Sequence, residues 1–472
     1  MRIEELLSDY RHFRKAAGLF LAVSLGVRLW LSAHYFGFLT GDDVEILEAG
    51  LRWVLHLGYV PWEIRNTLLP TLLVAPMGWL GASLGIASPM RLAGLATVPF
   101  ALLSTLNLVL VYRLVLALRG ERLAAGFAAL LLGTHWLAVG YGSTVYPRTA
   151  ATTCILLAAL WSAKSPPSAA RLLGAGAFVA LAFSFRYSEM IFLPPLLLLA
   201  ARAGSPATRL RRAAAVGAGF AAGALLFVGI ADQLEWGAPF ASLRAFFDYT
   251  VVEGRASALV AHQPGAWYLG TVLRWLSPAV IGGLWFFRRR RVPWALAAFV
   301  VLPLLALSVV PHKELRYLQG VLPFLCALGG IGLAGLWRDG RRSGVVTLCA
   351  LSLAWSAVQL RFLEKKSMAA VAAARYLTET RPAGSALAVQ QPWAYGDRLI
   401  LPVSFRVREL PMDLEHDGLG HDFSGVAIVA LYADRLTPSV AQALAAAGLC
   451  AERQFAWGRS RAVSIYSACP AE

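Results

Sequence analysis

The sequence predicts an all-α polytopic membrane protein with a small α/β domain at its C-terminal end. Three observations carry that expectation. The chain is 58% hydrophobic and only 15% charged, whereas soluble domains run near half apolar and a quarter charged. Twelve apolar runs approach or reach the ~20 residues that cross a bilayer. From residue 367 these runs give way to short helix-like and strand-like patterns.

Residues 1–15 are polar and basic and precede a first span at 16–36. This span is a signal anchor: its core is too long for a cleaved signal peptide, and no small-residue cleavage site follows. An extramembrane stretch, 37–67, comes next. Further runs cover 68–87, 91–118, 123–140, 149–163, 172–185, 190–201, 213–231, 267–287, 292–310, 318–337 and 343–361. Several are shorter than a full span, which tilting or re-entry accommodates. Arginine-rich loops orient the chain. Arg202, Arg209, Arg211 and Arg212, the run Arg288–Arg291, and Arg338, Arg341 and Arg342 mark cytoplasmic loops. Alternation places 37–67, 232–266, 311–316 and everything after 362 on the opposite, extracytoplasmic side. Cytoplasmic Arg119 and Arg122 then require an odd number of spans in 68–118, where two runs are visible. The expectation is 11–13 spans: a cytoplasmic 1–15, a membrane domain over 16–361, and a soluble 362–472. The net charge of +16 therefore reports orientation and membrane lipids, not nucleic acid.

In the last region 367–380 and 437–447 read as helices, and 386–390 and 426–431 as buried strands. A hairpin follows, with strands near 450–457 and 462–469 around Trp457-Gly458-Arg459-Ser460. A turn centred between Arg459 and Ser460 sets Cys450 opposite Cys469. On an oxidising side this permits a disulfide; two unpaired cysteines are the alternative. Cys154, Cys326 and Cys349 lie in apolar runs as packing residues.

Five polar constellations interrupt this pattern. Pro311-His312-Lys313-Glu314-Leu315-Arg316-Tyr317 crowds four ionisable groups between two spans, where charge is costly unless partnered or used. Gly41-Asp42-Asp43-Val44-Glu45-Ile46-Leu47-Glu48 follows the first span. Its adjacent carboxylates suit a general base, a metal or sugar hydroxyls. They equally suit the first turn of an amphipathic helix running through Leu51 and Leu55. Tyr59–Asn66 joins Trp62 to Glu63 and Arg65, as a sugar platform or an interfacial helix. Arg148 and Arg186 stand at span ends on the side where arginine is scarce, binding phosphate or snorkelling. His262, Trp267 and Tyr268 flank a Pro/Gly turn. The polar groups gather at span ends on one face, and no inverted repeat is visible, which argues against a transporter.

With these residues in view, the chain resembles glycosyltransferase family 22 of the GT-C superfamily, mannosyltransferases that use dolichyl-phosphate mannose. Pro311–Leu318 resembles that family's His-Lys-Glu-x-Arg-Phe-Leu signature. Trp62-Glu63, Arg65 and Pro70 resemble its first-loop Trp-Glu…Arg-Ser…Pro segment, shortened. His262, Pro264, Trp267 and Tyr268 resemble its His-Pro-Trp-x-x-Tyr turn, displaced by Gly265-Ala266. Arg148 and Arg186 fall where the family carries arginines. The first-loop acids depart in spacing: Asp42-Asp43 precede Glu48 by one residue too few, and Glu45 stands near an aromatic position. The C-terminal region matches no module.

The resemblance implies an inverting transferase with a GT-C fold and a polyprenyl-phosphate sugar donor, most simply mannose. The acceptor is a glycan or glycolipid. Asp42 or Asp43 is the implied base. Lys313 and Arg316, with His312, Tyr317, Arg148 and Arg186, are implied at the donor phosphate and sugar, and Glu314 orients Lys313 or meets a sugar hydroxyl. Glu45, Glu48, Trp62, Glu63, Arg65, His262 and Trp267 are implied at the acceptor or sugar. No cofactor or metal is expected. The Ala/Leu/Arg/Gly-rich composition suggests a bacterium, with the site facing the periplasm. The alternatives are a GT-C transferase for a pentose or amino sugar, and a flippase of lipid-linked glycans.

Overall fold

A computed structural model describes residues 10–35, 38–56, 61–164, 167–254, 263–287, 293–364, 368–390, 397–401, 405–410, 423, 425–456 and 462–470. His262, Arg288–Arg291 and the 457–460 turn lie outside the described residues.

The first apolar run forms the helix Tyr10–His34. Gly41–Leu55 follows as an amphipathic helix that buries Val44, Ile46, Leu47 and Leu51. The run at 68–87 does not form one span. It forms one continuous helix over 68–83 whose Pro70–Val74 stretch is π-helical. At 1.5 Å per residue this helix reaches only about 24 Å, short of the roughly 30 Å of hydrocarbon. Its main neighbours are the helices Gly41–Leu55 and Pro89–Ala96. Pro89–Ala96 leads through Thr97 into Val98–Arg119, so 68–118 supplies one crossing and the parity conflict disappears.

The path then alternates through Arg122–Thr134 with Trp136–Tyr141, Pro147–Ala163, Ala169–Phe185, Tyr187–Ala200, Pro206–Trp236, Pro278–Phe287, Trp294–Val309, Leu322–Arg338 and Arg342–Glu364. With Tyr10–His34 and Pro89–Arg119 these are apolar helical segments of the membrane domain among the described residues. Lys15–His34, Pro89–Arg119, Pro206–Trp236 and Arg342–Arg361 are long and apolar enough to cross a membrane by length and composition, so the chain is an integral membrane protein. Small residues let the helices touch. A Cβ on Gly219 would lie 2.0 Å from the Leu173 carbonyl oxygen, and one on Gly176 2.0 Å from that of Val216. Ala169–Phe185 and Pro206–Ala224 therefore meet backbone to backbone.

The C-terminal region folds as a five-stranded sheet with helices. Met368–Thr380 and Pro438–Ala446 are helical. The strands are β1 (Ala386–Gln390), β2 (Arg406–Leu410), β3 (Ile428–Tyr432), β4 (Leu449–Phe455) and β5 (Val463–Ala468). They lie in the order β2-β1-β3-β5-β4, with β1 parallel to both neighbours and β4–β5 antiparallel. β2 and the turn Asp397–Ile400 are additions to the expected elements. β2 is an edge strand that exposes four of its five residues, so it carries no apolar alternation. The Cys450–Cys469 disulfide is formed, but the hairpin register differs from the expected one. Cys450 lies opposite Ser467, and an irregularity between Ala451 and Arg453 shifts the ladder.

Two cores result. One fills the helix bundle. The other joins Val44, Ile46, Leu47 and Leu51 to Ala370, Leu377, Leu399, Ile428 and Ile465. The turn Asp397–Ile400 packs on both Gly41–Leu55 and Pro89–Ala96. The sheet domain thus presses directly on the helix that carries the paired aspartates.

Candidate active site

The two aspartates stand in the first turn of Gly41–Leu55 and point different ways, as neighbours on a helix must. The N-cap is Thr40, in extended conformation. Asp43 turns back to it: Oδ2 accepts the N–H groups of Leu39 at 2.8 Å and Thr40 at 3.0 Å, as the acid of a capping box does. Asp43 is completely buried. Burial pushes its carboxyl up to about 7 even though those N–H groups favour the ionised form. The sign of the effect on stability follows. A folded-state value above the ordinary 3.8 means the folded chain holds this proton more tightly. The stabilising contribution is then full at acid pH and is lost as pH rises toward about 7. Relative to Asp43→Asn, wild type should lose Tm between about pH 4 and 7. A pH-independent Tm difference between the two would contradict this.

Asp42 faces a cluster of guanidiniums. Its Oδ1 accepts from Arg65 and, at 3.2 Å, from Arg186 Nη1; its Oδ2 lies 3.1 Å from Arg316 Nη1. Burial alone would raise this carboxyl. Arg186, Arg65 and Arg316 together hold it well below the usual carboxylate range. Each arginine arrives from a break in regular structure. Arg186 caps the end of Ala169–Phe185 in extended backbone. Arg65 closes a turn on the Trp62 carbonyl and lies 5.6 Å from the Trp62 ring. Arg316 sits in the 3-10 turn Leu315–Gly320, just before Leu322–Arg338.

The charge cluster at 311–317 is internally paired. Glu314 forks onto Arg316, through Nε and, at 2.9 Å, Nη2, and its Oε1 lies 3.2 Å from His312 Nε2. It meets Arg316 and His312, while Lys313 Nζ donates to the carbonyls of Gln263 at 3.0 Å and Val310 at 2.6 Å. His312 meets the Tyr317 ring edge-on at 5.5 Å. Arg148 is buried behind this group. It pairs with Glu189, donates to Ser188 Oγ at 2.9 Å and lies over the Tyr317 ring at 4.7 Å. Its charge is matched by Glu189, and it supports Tyr317.

The remaining expected residues divide. Glu45 Oε1 accepts the Trp62 N–H at 2.8 Å, and the Trp62 ring meets Tyr249 edge-on at 5.3 Å. Glu48 is buried and Glu63 exposed. Trp267 packs edge-on against Tyr268, whose hydroxyl donates to the Glu314 carbonyl at 3.3 Å. A small cavity opens beside Asp42, lined also by Ile64, Arg65, Asn66, Arg186, Tyr187 and Phe246. Asn66, Tyr187 and Phe246 are additions to the expected set. Buried Asp232 fastens them: it accepts from Asn66 Nδ2 at 3.1 Å and from the Ser242 N–H at 2.9 Å, and the Ser242 hydroxyl bonds Tyr187. The available signal was a carboxylate at the end of the apolar run 213–231.

The profile of the Alg9-like mannosyltransferase family matches residues 45–391. The chain belongs to that family. The matched stretch includes the 311–317 cluster, Arg65, Arg148 and Arg186, and begins just after Asp42 and Asp43. No curated protein matches the chain. Among solved structures, ArnT from Cupriavidus metallidurans in the apo state is similar at a TM-score of 0.66 and 14% identity, over 97% of this chain and 99% of that one. The same protein bound to undecaprenyl phosphate gives 0.63 and 15%, over 96% and 99%. The Archaeoglobus fulgidus oligosaccharyltransferase with a tethered acceptor peptide gives 0.53 and 11%, over 87% and 69%. These likenesses establish the fold as GT-C. The ArnT match spans nearly the whole chain, so the sheet domain falls within it. This Alg9-like family member is a GT-C glycosyltransferase.

Proposed function

We propose that this transferase moves mannose from a polyprenyl-phosphate donor to a glycan or glycolipid acceptor, with inversion, at the extracytoplasmic membrane face. In a bacterium that is the periplasmic face of the inner membrane. The observation that carries the reading is Asp42, held by Arg65, Arg186 and Arg316 at the wall of the cavity. The likeness to ArnT, solved with undecaprenyl phosphate, supports a lipid phosphate as the leaving group. The arginine-rich loops Arg202–Arg212 and Arg338–Arg342 support the orientation.

The chemistry follows from charge. The acceptor hydroxyl attacks the anomeric carbon while Asp42 takes its proton. The bond from that carbon to the phosphate oxygen breaks, and its electron pair leaves with the lipid phosphate. A single displacement inverts the centre and needs no carboxylate nucleophile. Negative charge grows on the leaving phosphate, so guanidiniums already in position stabilise the transition state. Arg186 and Arg316 serve there, with Lys313 and His312 nearby. Asn66, Tyr187 and Phe246 line the acceptor side. The test is purified protein with polyprenyl-phosphate mannose and a panel of glycan and glycolipid acceptors, read by mass spectrometry. One hexose added to an acceptor is the expected product. Transfer of a pentose or amino sugar in place of hexose would move the donor assignment. Movement of glycolipid between leaflets with no change of mass would reject the enzyme.

A further inference from the structure

The base in this mechanism is poorly placed to act as the structure stands. Both oxygens of Asp42 are covered by cations: Arg65 and Arg186 on Oδ1, Arg316 on Oδ2. A carboxylate chelated in this way has little basicity left, and its carboxyl is held well below the usual range. A hydroxyl approaching from the cavity meets a carboxylate whose charge is already engaged by three guanidiniums.

The same arrangement describes a binding site for an anion of a particular shape. A carboxylate offers two oxygens on one centre and a single negative charge. A phosphodiester, the form of phosphate in a polyprenyl-phosphate sugar, offers the same through its two non-bridging oxygens. Guanidiniums pair with either in the same forked geometry. We infer that Arg186 and Arg316 form a phosphodiester site that Asp42 occupies in this structure, and that the donor displaces Asp42 from it, freeing the carboxylate to act as the base. This rests on the donor reading given above.

Three further observations fit. The side chains of Asp42, Arg65, Arg186 and Arg316 are 10%, 18%, 13% and 12% exposed, and the first three line the cavity. Glu314 grips Arg316 by Nε and Nη2, whereas Asp42 meets Nη1. Arg316 therefore stays in place when that one nitrogen changes partner. Among the described residues the ion-pair contacts of Arg65 and Arg186 go to Asp42, so both guanidiniums are left to receive an anion when it moves. Donor binding and base activation become one event. With no donor present, the base stays masked and cannot activate water or a stray hydroxyl.

The proposal makes an unusual demand: removing the base must improve donor binding. Donor affinity is measured with purified full-length protein and polyprenyl-phosphate mannose, in the absence of acceptor. Asp42→Asn is expected to bind at least about fivefold more tightly than wild type, the low end for coupling between two ligands of one site. Unchanged or weaker binding by a folded Asp42→Asn protein overturns the proposal. A second measurement needs no variant. Infrared difference spectra of wild type labelled with ¹³C-aspartate should show a carboxylate band moving when donor is added, and no movement overturns the proposal. The underlying reading fails separately. If Asp42→Asn binds more tightly yet still transfers sugar, the exchange stands and Asp42 is not the base. If it loses transfer and binds no more tightly, Asp42 remains the base and the exchange is wrong.

Discussion

Asp42→Asn is expected to lose roughly 10²–10⁴-fold in kcat, the range attributable to a positioned general base. Asp43→Asn is expected to keep most of its activity. The two residues are adjacent and chemically identical, so the contrast tests geometry alone. Asp43 is occupied by the backbone of Leu39 and Thr40, and an asparagine oxygen can accept the same N–H groups. Asp42 meets only side chains, all of them cationic. Steady-state transfer assays on both variants decide it. Equal losses in the two, with wild-type Tm, would move the base role away from Asp42.

Arg316→Ala is expected to lower kcat/KM by about 10²–10³-fold, the scale for removing one charged donor from a developing anion. Arg316→Lys should recover little. Arg316 spans two carboxylates at once, with Nη2 donating to Glu314 at 2.9 Å and Nη1 lying 3.1 Å from Asp42. A lysine ammonium on a flexible stem cannot reproduce that fork. The loss should appear in kcat as well as KM, because the interaction strengthens as the phosphate leaves. A change confined to KM would reduce Arg316 to a binding contact.

Much of this was legible from composition and pattern. Apolar runs located the crossings, and the 311–317 cluster stood out because four ionisable groups sat where a turn needs none. Arg186 stood out against the positive-inside trend. What stayed hidden depended on direction or on distant partners. Asp42 and Asp43 separate by helical azimuth and by the Thr40 cap, which residue type does not encode. The pairing of Arg148 with Glu189, 41 residues away, is not announced by either the phosphate or the snorkelling reading of that arginine. Asn66 meets Asp232 across 166 residues, so neither announced the wall they form. The strand β2 is not legible because edge strands need no apolar alternation, and the run at 68–87 has the composition of a span although its helix ends at Ser83.

The shared core of Gly41–Leu55 and the sheet domain also bears on the order in which the enzyme is made. Leu47 and Leu51 are buried with Leu377, Leu399 and Ile465, roughly 300 residues or more further along the chain. Contacts of such long sequence separation close late, since the loop between them must first be ordered. The helices can thread through the membrane while Asp42 still stands on an unsupported helix, and the support arrives only when the sheet domain docks.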